Sequence, residues 1–392
     1  MSEVQVPAVP VHTIVFHQSP LHPDELFIDW LRSHFPVAEE RYPGISQAKI
    51  ENWGLGGRTP DGRPAEEWEK EGVLAFGTGG GRFDEHGTFG RERKRGECSA
   101  SLFAKDLGLD QDPALRRILQ YIKANDLDGK QEAEDVEAGL ARIVNRAYYA
   151  ARKHNLGDEA TILGQARWIF TSWYLEQCDS LEAVEEFNQK AMVEEVNIGR
   201  GKIAKMATIV SDNELIHKIV SRKQCGQVGI VIAKRSTGHV QIFTNHLAPV
   251  ELRNAVILLR KYEREAERQP GSITKWLELE REGSLAGVGY EKWYFHARMM
   301  ILNGSATASD VPPTLLALEK IQEIVRFGIY TDYLQPGRAC VTQGVCDHSD
   351  ANPCPVYQYG LVQCRWIRGE TRKRSRQVLD SALPVVGQKD DD

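Results

Sequence analysis

His17, His22 and Asp24 stand close together in the run FHQSPLHPDE near the start of the chain. Imidazole nitrogens and carboxylate oxygens are donors that divalent first-row metals accept. The prolines at 20 and 23 stiffen the loop that carries them. A plainer reading stays open, with Asp24 supporting the N-terminus of the following helix and the histidines as surface groups. A second cluster lies in FGTGGGRFDEHGTFG. There Gly77, Gly79, Gly80 and Gly81 let a phosphate approach main-chain N–H groups, and Asp84, Glu85 and His86 follow at the mouth of the turn. The alternative is an ordinary surface loop.

Two weaker signals come later. Asn125, Asp126 and Asp128 in ANDLDG close a helix beside a glycine, either as a terminator or as a further metal carboxylate. FHARMMILNGSATASD sets a histidine on a strand and then an Asn-Gly-Ser turn before a helix, which suits a phosphate or a plain connection. In the tail, Cys340, Cys346, Cys354 and Cys364, with His348, have thiol and imidazole donors for zinc. Their gaps lack the short Cys-x2-Cys knuckle of strong zinc sites, so free or partly paired thiols are favoured. The run RWIRGETRKRSR interleaves basic residues with Trp366, as a nucleic-acid contact or a solvated basic tail would.

These residues need elements to position them. Val11 to Phe16 (VHTIVF) reads as a buried strand, then the proline loop, then a helix with apolar residues at Leu26, Phe27, Trp30, Leu31 and Phe35. That is the first half of an α/β unit. Residues 51 to 72 read as a connecting excursion, and Val73 to Phe76 as a second strand. From Ser99 the pattern is helical for about a hundred residues, through LEAVEEFNQKAMVEEVNIGRGKIAKMA. Near Gly226 the texture changes. QVGIVIAKRSTGHVQIFTN reads as a hairpin, VELRNAVILLRKYEREAER as a helix, WYFHARMMIL as a strand and PPTLLALEKIQEIVRFGI as a helix. The expected organisation is an α/β domain with a helical insertion over 1–223, a smaller α+β domain over 224–335, and a Cys-rich basic tail over 336–392, partly disordered.

The chain has 392 residues, 41% hydrophobic and 27% charged, enough to bury a real core. A net charge of −6 argues against a surface coated in cations, though not against a local basic groove. No apolar run of about 18 residues exists to span a membrane. The start lacks the basic and apolar regions of a secretory signal, so the cytoplasm is the expected compartment. Seven cysteines, with Cys98, Cys178 and Cys225 scattered, suit reduced thiols.

The order FHQSPLHPDELF, FGTGGGRFDEHG, ECSASLFAKDLGL and ANDLDG resembles the DHH phosphoesterase superfamily, and within it the Myg-type (melanocyte-proliferating-gene) metal-dependent hydrolases. The likeness runs over roughly residues 11 to 330, with only short motifs specific. His17, His22 and Asp24 match that family's opening loop in spacing. Its Asp-His-His motif falls on Asp84, Glu85 and His86. Cys98, Ser99, Ala100 and Ser101 match its small-residue helix start, and its later acidic ligand falls on Asp126 or Asp128. The second domain is similar to a DHH-associated domain, which places His296, Asn303, Gly304 and Ser305 at the substrate. Two positions depart: Gly77 stands where the family carries an aspartate, and Glu85 where it carries the first histidine of the motif. Glutamate still suits Mn2+ or Mg2+.

The resemblance implies a metal-dependent phosphoesterase acting on a nucleic-acid or nucleotide phosphodiester with Mn2+ or Mg2+. Asp84 and His86 would be catalytic, with Arg82, Arg91 and Arg298 as candidate phosphate contacts. The rivals are a catalytically impaired relative that binds nucleotide or nucleic acid, and a scaffold whose tail docks a partner. The oligomeric state is left open, a homodimer included.

Overall fold

The computed structural model describes residues 9–17, 21–54, 57–86, 94, 96–128, 139–199, 201–245, 248, 250–268, 279–285, 287, 289–296, 300–304, 308, 310–330, 339–354, 357, 364 and 368. It is a mixed α/β structure with two sheets. The chain forms two compact units, Met1–Leu181 and Glu182–Asp392, and the change of texture near residue 224 falls inside the second. Among the described residues, no helix is long and apolar enough to cross a membrane.

The first unit is built on three parallel strands, β1 (Thr13–Phe16), β2 (Lys49–Asn52) and β3 (Val73–Phe76), with β1 in the centre. TIVF and VLAF are buried at every position, as parallel strands covered on both faces require. Thr13 pairs with Val73 and Phe16 with Phe76, so both strands end level.

Helices α1 (Pro23–His34) and α2 (Pro36–Arg41) follow β1, and α3 (Ala65–Glu69) precedes β3. The series then runs α4 (Ser99–Asp106), α5 (Arg116–Asp128), α6 (Leu140–His154) and α7 (Glu159–Lys190). Phe16, Phe76, Phe83 and Phe103 lie in a continuous core with Phe27, Trp30 and Phe170. Asp29, wholly buried on α1, is held by Arg32 and by Arg167 of α7. Buried charges persist when paired in this way.

The expected unbroken helical block ends at Lys190. Met192–Gly199 (β4) and Lys202–Val210 (β5) form an antiparallel hairpin instead. In MVEEVNIG, Val196 and Ile198 are buried while Glu195 and Asn197 face outward, a period of two. Gly199 and Gly201, at φ of 91° and 67°, supply the left-handed turn between the strands.

After α8 (Ile216–Ile219) come β6 (Ile230–Lys234) and β7 (Val240–Thr244), the expected hairpin. Then follow α9 (Arg253–Ala266), β8 (Gly283–Leu285), β9 (Tyr290–His296), β10 (Met300–Leu302), α10 (Leu318–Gly328) and the short α11 (Ala339–Thr342). WYFHARMMIL is thus not one strand, since β9 and β10 pair antiparallel with Met300 opposite His296. The seven-stranded sheet has the order β4-β5-β6-β7-β10-β9-β8. The basic run after Cys364, apart from Arg368, and the acidic KDDD end lie outside the described residues.

Arg260 of α9 is 1% exposed and binds backbone carbonyls only: Trp293, Leu279, Arg281 and Gly283. It ties α9 to β9 and to the chain leading into β8. Arg260→Met leaves several carbonyls unsatisfied. The expected loss is about 3 kcal/mol or more of unfolding free energy, read by urea titration.

In the first unit, Glu97 accepts from Ser101 at 2.6 Å, Lys105 at 2.6 Å and Lys123 at 3.0 Å. Burial opposes its charge, but these partners prevail and hold its pKa at about 2. A depressed carboxylate stabilises the fold above its unfolded pKa, and that contribution fades as pH falls toward the folded value. Glu97→Gln is therefore expected to cost about 1–2 kcal/mol at pH 7 once exposed Lys105 is discounted, the gap to wild type closing between about pH 4.5 and 2. Thermal unfolding across that range checks it.

Candidate metal centre

Phe16 and Phe76 end level, so the residues that follow them emerge side by side. His17 sits on the bend after β1, and Gly77 follows β3 at φ 64°. Open α/β sheets place ligands beyond the carboxyl ends of their strands. A Cβ on Gly77 would stand 3.0 Å from Ser99 Oγ and 3.1 Å from His17 Nδ1. The space an aspartate would take here is filled by those two side chains.

The turn at residues 21–25 brings His22, Asp24 and Glu25 to the same end. His22 is the N-cap of α1, with Pro23 in its first turn. The Glu25 carboxylate accepts the His22 N–H through Oε2 at 2.5 Å. Its other oxygen, Oε1, lies 2.7 Å from His17 Nδ1. Both of those atoms are buried, and neither has a hydrogen bond of good geometry. Donor atoms crowded this way suit a shared cation.

The glycine turn contributes the second group. Asp84 Oδ2 accepts the Gly80 N–H at 2.7 Å, and Oδ1 accepts the His86 N–H at 2.9 Å and lies 3.2 Å from His86 Nδ1. Glu85 Oε2 accepts from Ser99 Oγ at 2.9 Å, while Oε1 lies 3.3 Å from His86 Nδ1. Asp84 therefore shapes the turn and aims the imidazole. Two sets, His22–Asp24–Glu25 and Asp84–Glu85–His86, each offer ligand atoms within 4.8 Å of one another.

The sets meet. The His17 ring centroid is 6.0 Å from that of His22 and 6.0 Å from that of His86. All three line a cavity of about 280 Å3 with Pro23, Asn125, Asp126 and Asn145. The helix α5 runs on through Asp128, so Asn125 and Asp126 stand within its last turn. Of the Asp128 side chain nothing is described.

Electrostatics tie the segments together. Burial, then the charges of Glu25, Asp126 and Glu85, hold Asp24 well above the usual carboxylate range. Burial likewise raises Glu85 and Asp126, although neighbouring histidines oppose it. The bond to Asp84 raises His86. Burial works against a charged His17, yet Glu25 carries its pKa above the ordinary value. Burial, with Asp24 beside it, pushes the Cys98 thiol up to about 12, so Cys98 is a packed thiol and not a nucleophile. Carboxylates that raise one another's pKa beside imidazoles in a cavity make this cluster a candidate functional site.

The remaining expectations fare differently. Arg82 is held by Glu69 at 3.0 and 2.7 Å and lies over the rings of Tyr42 and Phe83, which braces the turn and engages the guanidinium, with part of the side chain still exposed. Arg91, Arg298 and Ser305 lie outside the described residues.

In the second unit, Asn303 is fully buried. Its amide donates to Lys292 O and Pro312 O and accepts from Thr314 N, which makes it a brace for its turn and keeps it from a substrate. Gly304, at φ 72°, packs so closely on His239 that a Cβ would meet that ring at 2.6 Å. His296 ends β9 with a buried Nδ1 that makes no hydrogen bond among the described residues.

The four tail cysteines are free, and Cys354 and Cys364 pack on the second unit's core. Burial, then the neighbouring Cys354, Cys340 and Cys346, push the Cys364 thiol up to about 12. Among the described residues no set of three of these sulfurs comes within 4.8 Å of one another.

Sequence reasoning missed Glu25 and Asn145. Glu25 reads as an ordinary acid in a helix's first turn, and only its reach back to the N-cap, leaving one oxygen toward His17, shows more. No protein-family model, curated protein or solved structure matches the chain.

Gly77→Ala tests the packing at the strand end. It forces a side chain into the left-handed region and against His17, at an expected cost of about 1–2 kcal/mol. Urea unfolding of the metal-free protein measures it; an unchanged midpoint would show that the strand end has room for a side chain.

Proposed function

We propose that the chain is a divalent-metal-dependent phosphoesterase that hydrolyses a nucleic-acid or nucleotide phosphodiester. The observation that carries this reading is that three imidazoles and Asp126, from separate segments, line one cavity at the strand ends, with Asp24 and Glu25 grouped about His22 and Glu85 about His86. The carboxylates suit Mn2+ or Mg2+, and the imidazoles add nitrogen donors that first-row metals accept more readily than Mg2+ does. His17, His22, Asp24 and Asp126, with Glu25 and Glu85, are the residues that would hold it. A bound divalent cation activates water and offsets phosphoryl charge.

The protein's own groups do the rest. Asp84 orients His86, whose half-exposed ring at the cavity rim can hold a phosphoryl oxygen or move a proton at Nε2. Gly77 favours a second reading, a binding protein of impaired catalysis, because two close metals need a bridging carboxylate. Glu25 and Glu85 are the groups available to supply one.

Asp24→Asn separates a functional site from a structural one. Asp24 is raised by burial and by its acidic neighbours, so its ionised form weakens the metal-free fold. The amide should raise the melting temperature in chelator while lowering Mn2+ retention and hydrolysis of bis(p-nitrophenyl) phosphate or short oligonucleotides at least about tenfold. Elemental analysis after Mn2+ loading and desalting gives the first readout, initial rates the second. A wild-type chain that keeps no Mn2+ and cleaves neither substrate ends the proposal. Retained Mn2+ without cleavage leaves the binding protein.

A further inference from the structure

We propose that the outward face of α6 is a lane for single-stranded nucleic acid that leads into the cavity of the metal centre. The idea rests on the phosphodiester reading above and extends it to the part of the substrate beyond the reacting phosphate. Arg142, Asn145, Arg146 and Tyr149 recur at helical spacing and line one open depression of about 300 Å3. Asn145 also lines the cavity that holds His17, His22 and His86. The two hollows are therefore neighbours across a single side chain.

The opposite face of α6 fixes that placement. Val144 and Tyr148 are each 5% exposed in the first unit's core, with Leu140, Ala147 and Ala151 packed against it. The helix cannot roll without unburying them. Its sequence, LARIVNRAYYAARKH, has no acidic residue and carries Arg142, Arg146, Arg152 and Lys153, in a chain of net charge −6. A solvated surface helix ordinarily mixes both signs. Within the helix the sign is uniform, beside a cavity lined by His17, His22, His86 and Asp126, so a polyanion can be gripped along the helix up to that cavity.

The residue types select the ligand. Guanidinium groups hold phosphate oxygens in pairs. Tyr149 is 56% exposed, an aromatic face in reach of a base. The Asn145 amide both donates and accepts, as a base edge or sugar hydroxyl needs. A duplex keeps its bases stacked away from such a ring, and an acidic peptide has no flat group to lay on it, so a single strand uses the whole set. From Arg142 to Tyr149 the stripe rises about 10 Å, room for a short stretch of strand.

Fluorescence anisotropy with the full-length chain and 5′-fluorescein octadeoxyadenylate, in EDTA across about 25–200 mM salt, tests the lane without hydrolysis. Arg142→Gln and Arg146→Gln should each reduce the slope of log K against log salt by about 0.7, the share of one phosphate contact on a single strand. Tyr149→Ala should weaken binding about fivefold or more at unchanged slope, and Tyr149→Phe should restore it. All three sites are on the helix surface, and circular dichroism confirms the fold of each variant.

Three results overturn the lane: no binding by wild type, unchanged affinity and slope in the variants, or competition by poly-glutamate or an octamer duplex as strong as by the single strand. Variant-sensitive binding by a chain that cleaves nothing keeps the lane and ends the hydrolase reading. Cleavage with variant-insensitive binding does the reverse.

Discussion

Parallel pairing of β1 with β3 in level register is the constraint on which the site depends. Phe16 lies opposite Phe76, so the chain leaves both strands at one end of the sheet, placing His17 beside Gly77. A shift of one residue would turn the buried TIVF and VLAF side chains to the wrong faces. Phe83, Phe103 and Tyr42 pack around that end and keep the register. The same aromatic packing anchors the turn that presents Glu85 and His86. Hydrophobic register and polar geometry are thus one problem with one solution.

That solution gathers charge where charge is unfavourable. Asp24, Glu25 and Glu85 are all less than 4% exposed, with Asp126 close enough to raise Asp24 further. Burying several carboxylates together weakens a fold unless protons, cations or donors offset them. Some donors are visible, such as Ser99 for Glu85 and the His22 N–H for Glu25. The second oxygen of Glu25 faces His17 Nδ1 at 2.7 Å, a pairing that raises the His17 pKa. Elsewhere the chain treats buried charge differently. Asp29 has two arginines, and Glu263 is satisfied by Lys292, Trp293 and Leu315. What sets the strand ends apart is that these carboxylates are buried together beside three histidines.

The local strand-loop-helix order around FHQSPLHPDE was legible because each step has a short-range cause: a buried apolar run, prolines, then an amphipathic repeat. The second histidine-acid cluster was legible for the same reason, its glycines and acids being consecutive. Long-range facts were not. Nothing local says that Arg82 turns to Glu69 rather than to a ligand, or that Asn303 is enclosed by Lys292, Pro312 and Thr314. The hairpin at 192–210 was hidden by its context, since EEFNQK and MVEEV share a helical composition. Only the alternation about Gly199 and Gly201 separates them. The close packing at Gly77 was not legible either, since Ser99 and His17 come to it from other segments.

The helix α6 shows how little sequence signal a functional surface needs. Its apolar positions commit one face to the core, and what remains reads as an ordinary charged exterior. Its meaning depends on where the helix is docked. Val144 and Tyr148 set its rotation, rotation sets Asn145 at the rim of the cavity, and Arg142, Arg146 and Tyr149 follow from the helical repeat. Core packing therefore decides the direction from which a charged chain can approach the histidines. A substitution at Val144 that rolled the helix by a few tens of degrees would leave every polar residue in the sequence and still move Asn145 from the rim that joins the two hollows. Placement, more than residue type, distinguishes this basic face from a merely soluble one.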